Sequence, residues 1–158
     1  MKKISLFKPL LTNNDYKVIQ NSLKTGWLTR GPKNLIFERN FTKLINVKYA
    51  VSMNSCTSAL ECALKVIKKK GEVIIPSWTW VATANAVINT GNTPVFADVE
   101  INSRNVTAQE ITKCITKKTI ALIIVHFAGL PCEMDNIVKL TKEKKEIRKR
   151  MLLARSGF

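Results

Sequence analysis

Asn54-Ser55-Cys56-Thr57-Ser58 is a run of small, mostly hydroxylated residues placed where an amphipathic segment begins. A helix start leaves several amides without intrahelical partners and carries a partial positive charge. The hydroxyls of Thr57 and Ser58 add further donors, so the chemistry on offer is anion binding, phosphate above all. The same residue types cap helices, and Ser55 or Thr57 capping its own helix is the plainer reading. In Pro76-Ser77-Trp78-Thr79-Trp80 two indoles flank a threonine at a strand end. They offer a flat face for stacking on a ring, or a core contact in the first turn of a helix. Val125-His126-Phe127-Ala128-Gly129-Leu130-Pro131 holds the single histidine. A histidine-cluster metal site is thereby excluded, and a Ser-His-Asp triad would have to be built on His126 alone. Cys56, Cys62, Cys114 and Cys132 form no C-x-x-C pair and have no histidine at metal-ligand spacing, so they read as reduced thiols. Neither the glycine-rich dinucleotide fingerprint nor the nucleoside-triphosphate loop occurs.

The elements that must position these residues follow from periodicity. Tyr16, Ile19 and Leu23 predict a helix from Asn14 to Leu23, and Pro32 opens a second with Phe37, Phe41, Leu44 and Ile45 on one face. From Tyr49 onward short apolar runs alternate with amphipathic ones. Tyr49–Met53, Glu72–Ile75, Pro94–Val99 and Ile120–Val125 are predicted strands. Thr57–Lys69, Thr79–Asn89, a segment opened by a Thr107/Glu110 capping box, and Asp135–Lys144 are predicted helices. Strands separated by helices pair in parallel, so the expected fold class is α/β, a mostly parallel sheet flanked by helices. In such a sheet ligands bind beyond the carboxyl ends of the strands, where all three chemical segments fall.

The chain has 158 residues, 46% of them hydrophobic, enough for one domain with a core. No apolar run approaches the roughly 18 to 20 residues that span a bilayer, and Lys8-Pro9 interrupts any signal-peptide core, so the expected location is cytoplasmic. The net charge is +15, and residues 139–158, with eight basic and two acidic side chains, hold +6 of it. Twenty of the 26 basic residues are lysine and no recognition motif accompanies them, which argues against a nucleic-acid partner. The stretch from Glu146 is charged where the alternation calls for a buried strand. It reads as a basic helical surface tail, with residues 1–145 as the folded portion and 146–158 as a divergent tail.

Taken in order, the segments resemble the DegT/StrS family of pyridoxal-phosphate-dependent sugar aminotransferases. The resemblance is carried by Gly26-Trp27-Leu28-Thr29-Arg30-Gly31-Pro32, Tyr49-Ala50-Val51 leading into Asn54–Leu60, Glu72–Asn85, Pro94–Val99, and Val125–Pro131 with Met134-Asp135. It implies the N-terminal part of the large domain of an aspartate-aminotransferase-type (fold type I) enzyme that works as a homodimer. Pyridoxal 5'-phosphate would carry an amino group from glutamate to a keto group on a nucleotide-linked sugar, in surface-polysaccharide or amino-sugar biosynthesis. Carried over position by position, Thr57 and Ser58 would hold the cofactor phosphate and Trp80 would stack on the pyridine ring. Asn85 and His126 match motif positions without an assigned role. Cys56 stands where the family has glycine, and Ser58 where alanine is usual, the contact expected there being from the backbone amide.

The family's next strand carries an acid that pairs with the pyridine nitrogen, followed by the lysine that forms the Schiff base. Neither has a match here, because Lys65, Lys68, Lys69 and Lys70 lie away from the start of their helix and the lysines from Lys139 belong to the basic end. The expectation is a truncated or frameshifted fragment, inactive alone and without a catalytic residue of its own. Codons for Glu-Asp-Ala-Ala-Arg, one form of the acidic motif, read one base late permit Arg150–Ala154. Two other readings stand beside it: a non-catalytic phosphate-binding or dimerisation module, and a basic nucleic-acid-binding protein.

Overall fold

In the computed structural model residues 8–143 are described, together with the backbone of 151–155. The chain divides into two compact units, Met1–Ser52 and Met53–Phe158.

The first unit is helical. Helix α1, Asn13–Thr25, opens on a reciprocal capping box between Thr12 and Asp15 and closes on Gly26 at φ 68, a left-handed position that glycine adopts without strain. Helix α2, Pro32–Leu44, starts at the expected proline. Its apolar face is not the covered one: Phe37, Phe41, Leu44 and Ile45 are exposed, the two phenylalanine rings 6.0 Å apart, whereas Glu38 is buried. The reason is polar. The Glu38 carboxylate accepts the Ser52 amide and hydroxyl, both at 2.8 Å, and the Arg30 guanidinium at 3.2 Å. These bonds, the Ser52 amide first, hold its pKa below the usual carboxylate value. The predicted strand Tyr49–Met53 is absent, and within it the Ser52 amide donates to Glu38 rather than to a ladder.

The second unit is built on β3, Thr119–His126, whose residues from Thr119 to Val125 are buried, as its continuous apolar run predicts. Strands β1, Glu72–Pro76, β2, Thr93–Ala97, and β4, Met151–Arg155, complete an all-parallel sheet in the order β2-β1-β3-β4. Side chains alternate across it. Val73, Ile75, Ala121, Ile123 and Val125 meet Leu60 and Leu64 of α3 (Cys56–Val66) and Ala86 and Val87 of α4 (Val81–Asn89). Ile74, Leu122 and Ile124 face the other way, toward Ile111 of α5 (Ala108–Cys114) and Ile137 of α6 (Met134–Glu143). Helices therefore cover both faces.

Two expectations change here. Met151–Arg155 is not part of a helical tail: its five residues pair with β3 from Leu122↔Met151 to His126↔Arg155. The rest of the predicted tail, 146–150 and 156–158, lies outside the described residues, as do 144 and 145 at the end of the predicted folded portion. The capping box at α5 is half made. Thr107 accepts the Glu110 amide at 3.3 Å, but the Glu110 carboxylate turns to Lys113 at 2.7 Å. Among the described residues no helix is long and apolar enough to cross a membrane.

Candidate functional site

The chain runs from β1 outward to β2 and then back across to β3, so the sheet's connections diverge between β1 and β3. Such a switch point opens a crevice beyond the carboxyl ends of the two strands. The segments that meet that edge are Ser77–Trp80 after β1, Asp98 after β2, and His126 at the end of β3 with Phe127–Leu130 after it.

Helix α3 brings a fourth segment to the same edge. It ends five residues before β1 begins and lies along the sheet through Leu60 and Leu64, so it runs against the strand direction. Eleven residues of helix rise roughly 16 Å and five of strand roughly 17 Å, which sets the N-terminus of α3 level with the strands' carboxyl ends. Ser55 caps it: its hydroxyl oxygen accepts the Ser58 amide at 3.1 Å and donates to the Ser58 hydroxyl at 3.0 Å. The plainer of the two readings of this run therefore holds for Ser55, and the Ser58 amide, expected to face a phosphate, is engaged by the cap. The half-buried Thr57 takes no part in that cap. The Cys56 and Thr57 amides, the first two of the helix, have no intrahelical acceptor. This donor set, two amides and the Thr57 hydroxyl with a cap that can swing aside, suits a phosphate.

Trp80 is the N-cap residue of α4 and 69% exposed. An indole cannot accept from the helix's first amides, so the position forgoes the roughly 1 kcal/mol that a serine or threonine would contribute. Below it, Thr79 and Thr83 share a hydroxyl contact of 3.0 Å. Trp78 takes the packing role instead, edge-on to Phe127 with ring centres 6.0 Å apart and with the Arg104 guanidinium 5.3 Å from its ring centre. Ser77 and Asp98 tie the ends of β1 and β2, by the Ser77 amide to the Ala97 carbonyl at 2.8 Å and by a long 3.5 Å hydroxyl contact to Asp98. Asn85 is exposed on α4.

His126 is half-buried, and its Nδ1 accepts the Cys132 amide at 3.1 Å, which places the proton of a neutral ring on Nε2. The Cys132 thiol is buried against the Val125 carbonyl at 3.3 Å, and burial pushes its pKa up, away from nucleophile chemistry. All four cysteines are free thiols. Among the described residues no cluster of His, Cys, Asp or Glu could hold a metal.

The structure thus brings Thr57, Ser58 and Trp80 to one edge of the sheet. Of the lysines beside the candidate phosphate helix, Lys65 lies in its last turn and Lys68, Lys69 and Lys70 follow it, away from its start. β4 stands next to β3, where the resemblance calls for an acidic strand, and none of its residues is acidic. Sequence reasoning missed Arg104 and Asn105, which sit in an irregular connection without helical or strand period. The only signal was the cluster of turn-forming residues Asn102-Ser103-Arg104-Asn105.

The sequence matches the DegT/DnrJ/EryC1/StrS aminotransferase family over residues 9–147. It is 40% identical to the spore coat polysaccharide biosynthesis protein SpsC of Bacillus subtilis over 136 residues, 85% of this chain and 35% of that one. Helicobacter pylori PseC, an aminotransferase involved in the biosynthesis of pseudoaminic acid, superposes with a TM-score of 0.85 at 30% identity, over 99% of this chain and 42% of its own. The GDP-4-keto-6-deoxy-D-mannose-3-dehydratase of E. coli, solved with bound hydrated pyridoxal phosphate, gives 0.85 at 26% identity over 99% and 41%. The chain spans 36% and 35% of the length of two curated relatives it matches.

Proposed function

The chain belongs to the DegT/DnrJ/EryC1/StrS aminotransferase family, and we propose that its Met53–Phe158 unit forms the phosphate-holding and ring-stacking part of a pyridoxal 5'-phosphate site. The reaction we propose for the whole enzyme is amino transfer from glutamate to a keto sugar nucleotide, in a homodimer. What supports this reading is that the length and direction of α3 set its start, with Thr57, level with the carboxyl edge of the β2-β1-β3-β4 sheet, the edge that the exposed Trp80 follows after β1. The cofactor, when bound, supplies the electron sink that labilises bonds at the amino carbon.

The chain's own residues bind and orient. The Thr57 hydroxyl and the first amides of α3 neutralise phosphate charge without a buried cation. Ser58 contributes its amide once the Ser55 hydroxyl releases it. Trp80 offers one indole face to the ring and shields it from water on that side. In our reading neither the acid for the ring nitrogen nor the Schiff-base lysine is among the described residues, and the chain binds the cofactor without turning it over.

Titration of the chain with pyridoxal 5'-phosphate, followed by borohydride reduction and peptide mapping, tests both halves. Saturable binding, weakened about tenfold (about 1.4 kcal/mol) by Thr57→Val or Trp80→Ala and leaving no uniquely modified lysine, is the expected result. A stoichiometric adduct at one lysine would overturn the second half. Absence of binding would overturn the first.

A further inference from the structure

Two adjacent residues, Arg104 and Asn105, touch both loops that flank the switch point between β1 and β3. Asn105 is 4% exposed. Its Oδ1 accepts the Phe127 amide at 3.0 Å and its Nδ2 donates to the Leu130 carbonyl at 3.0 Å. One side chain thus closes both ends of the 127–130 turn, which contains Ala128 at φ 49 and Gly129 at φ 82. Phe127, placed by that bond, meets Trp78 edge-on. Arg104 also meets Trp78, its guanidinium over the indole ring, from a backbone at φ 57, a region that L residues rarely adopt. The connection is fixed in that shape by the Arg104 amide to the Glu100 carbonyl at 2.7 Å, the Glu100 amide to the Asn105 carbonyl at 2.9 Å, and the Asn102 and Ser103 amides to the Glu100 carboxylate at 2.9 and 2.7 Å.

We infer that Arg104 and Asn105 are positioning residues: they lock Trp78 and the 127–130 turn together, and so fix the short segment that sets Trp80 at the head of α4. The inference rests on the proposed role of Trp80 only for its effect on the cofactor. The locking itself is independent of any ligand. An asparagine is required because the site needs one acceptor and one donor on the same planar group, aimed at an amide and a carbonyl three residues apart. Aspartate would keep the acceptor and set a carboxylate against the Leu130 carbonyl.

The test uses the full chain with Asn105→Ala, Asn105→Asp, Arg104→Met and Arg104→Lys. Far-UV circular dichroism reports folding, hydrogen exchange reports the Phe127 amide, and quenching of tryptophan emission reports the affinity for pyridoxal 5'-phosphate. In Asn105→Ala the Phe127 amide exchanges at least about tenfold faster while far-UV ellipticity is kept, and cofactor affinity falls about tenfold. Arg104→Met weakens the cofactor similarly, and Arg104→Lys, which keeps a cation over the indole, recovers part of the loss. Parent-like affinity in both Asn105→Ala and Arg104→Met overturns the inference. If the parent chain itself does not bind, the cofactor reading fails alone. The locking is then decided by exchange: an unchanged Phe127 amide in Asn105→Ala overturns it, and faster exchange supports it. Should Asn105→Ala not fold, Arg104→Met, altered at an exposed side chain, decides through the near-ultraviolet ellipticity of Trp78, which falls if the inference holds and stays if it does not.

Discussion

Ser55 and Thr57 stand two residues apart and their roles have opposite consequences. Ser55 stabilises α3 by accepting the Ser58 amide, while the proposed phosphate would use that same amide. Ser55→Ala should therefore cost about 1 kcal/mol of stability, seen as a lower thermal midpoint, and leave phosphate affinity equal or higher because the amide no longer has to be released. A loss of affinity on Ser55→Ala would show the hydroxyl itself to be a ligand. Glu100 makes a second, independent case at the same scale. Its carboxylate accepts the backbone amides of Asn102 and Ser103, which with the side chains of those residues hold its pKa down to about 2 from 4.5. A lowered carboxylate pKa adds stability that is fully present above 4.5 and disappears as the pH falls toward 2. Glu100→Gln should be less stable than the parent at neutral pH, with the difference closing between pH 4.5 and 2 in a series of chemical denaturations. A gap independent of pH would place the Glu100 contribution elsewhere.

At the scale of elements, what the sequence makes legible is what repeats. The helices that begin at Asn13, Pro32, Cys56 and Met134 and the strands at Glu72, Thr93 and Thr119 fall near their predicted places, because apolar spacing and caps are written locally. The misses are at contacts between residues far apart in the chain. Nothing local announces that Glu38 bonds Ser52, within the predicted Tyr49–Met53 strand, or that Asn105 spans to Leu130. Within the candidate site the hydroxyls at α3 were legible as a helix start. That Trp78, 49% exposed, is engaged by two side chains while Trp80, at 69%, is left more open was not, since both indoles share one segment and only the Phe127 and Arg104 contacts separate them. The Gly26–Pro32 loop gives a prediction of the same kind. The Trp27 indole donates to the Arg30 carbonyl at 3.1 Å, and a Cβ on Gly31 would lie 2.1 Å from that indole nitrogen. Gly31 has extended backbone that any residue adopts, so close approach alone demands glycine there. Gly31→Ala should displace the indole and shift the emission of Trp27 to the red in a variant whose other tryptophans are phenylalanine. Unchanged emission would mean that the loop accommodates the methyl group by moving its backbone.

For the molecule as a whole, the decisive element is β4, because it determines whether β3 is an interior strand or an edge. Seven of the eight residues of β3 are buried, helices cover both its faces, and on one side it pairs with β1. Without β4 its other side would present a row of unpaired amides and carbonyls on an apolar strand, the arrangement most prone to pairing with a second chain. The sequence Met-Leu-Leu-Ala-Arg reads poorly as a strand in its basic surroundings, yet it matches β3 residue for residue, Ile124 opposite Leu153 at the centre. A proline cannot donate to a ladder and is tolerated mainly at edges and strand ends. Leu153→Pro should therefore detach β4, expose the edge of β3, lower the thermal midpoint and produce light scattering that grows with protein concentration. A proline at Leu11, before α1 and in the other unit, should leave both measurements at parental values. If Leu153→Pro also behaves as the parent, β4 contributes nothing to the sheet in solution, and the edge of β3 must be protected in some other way.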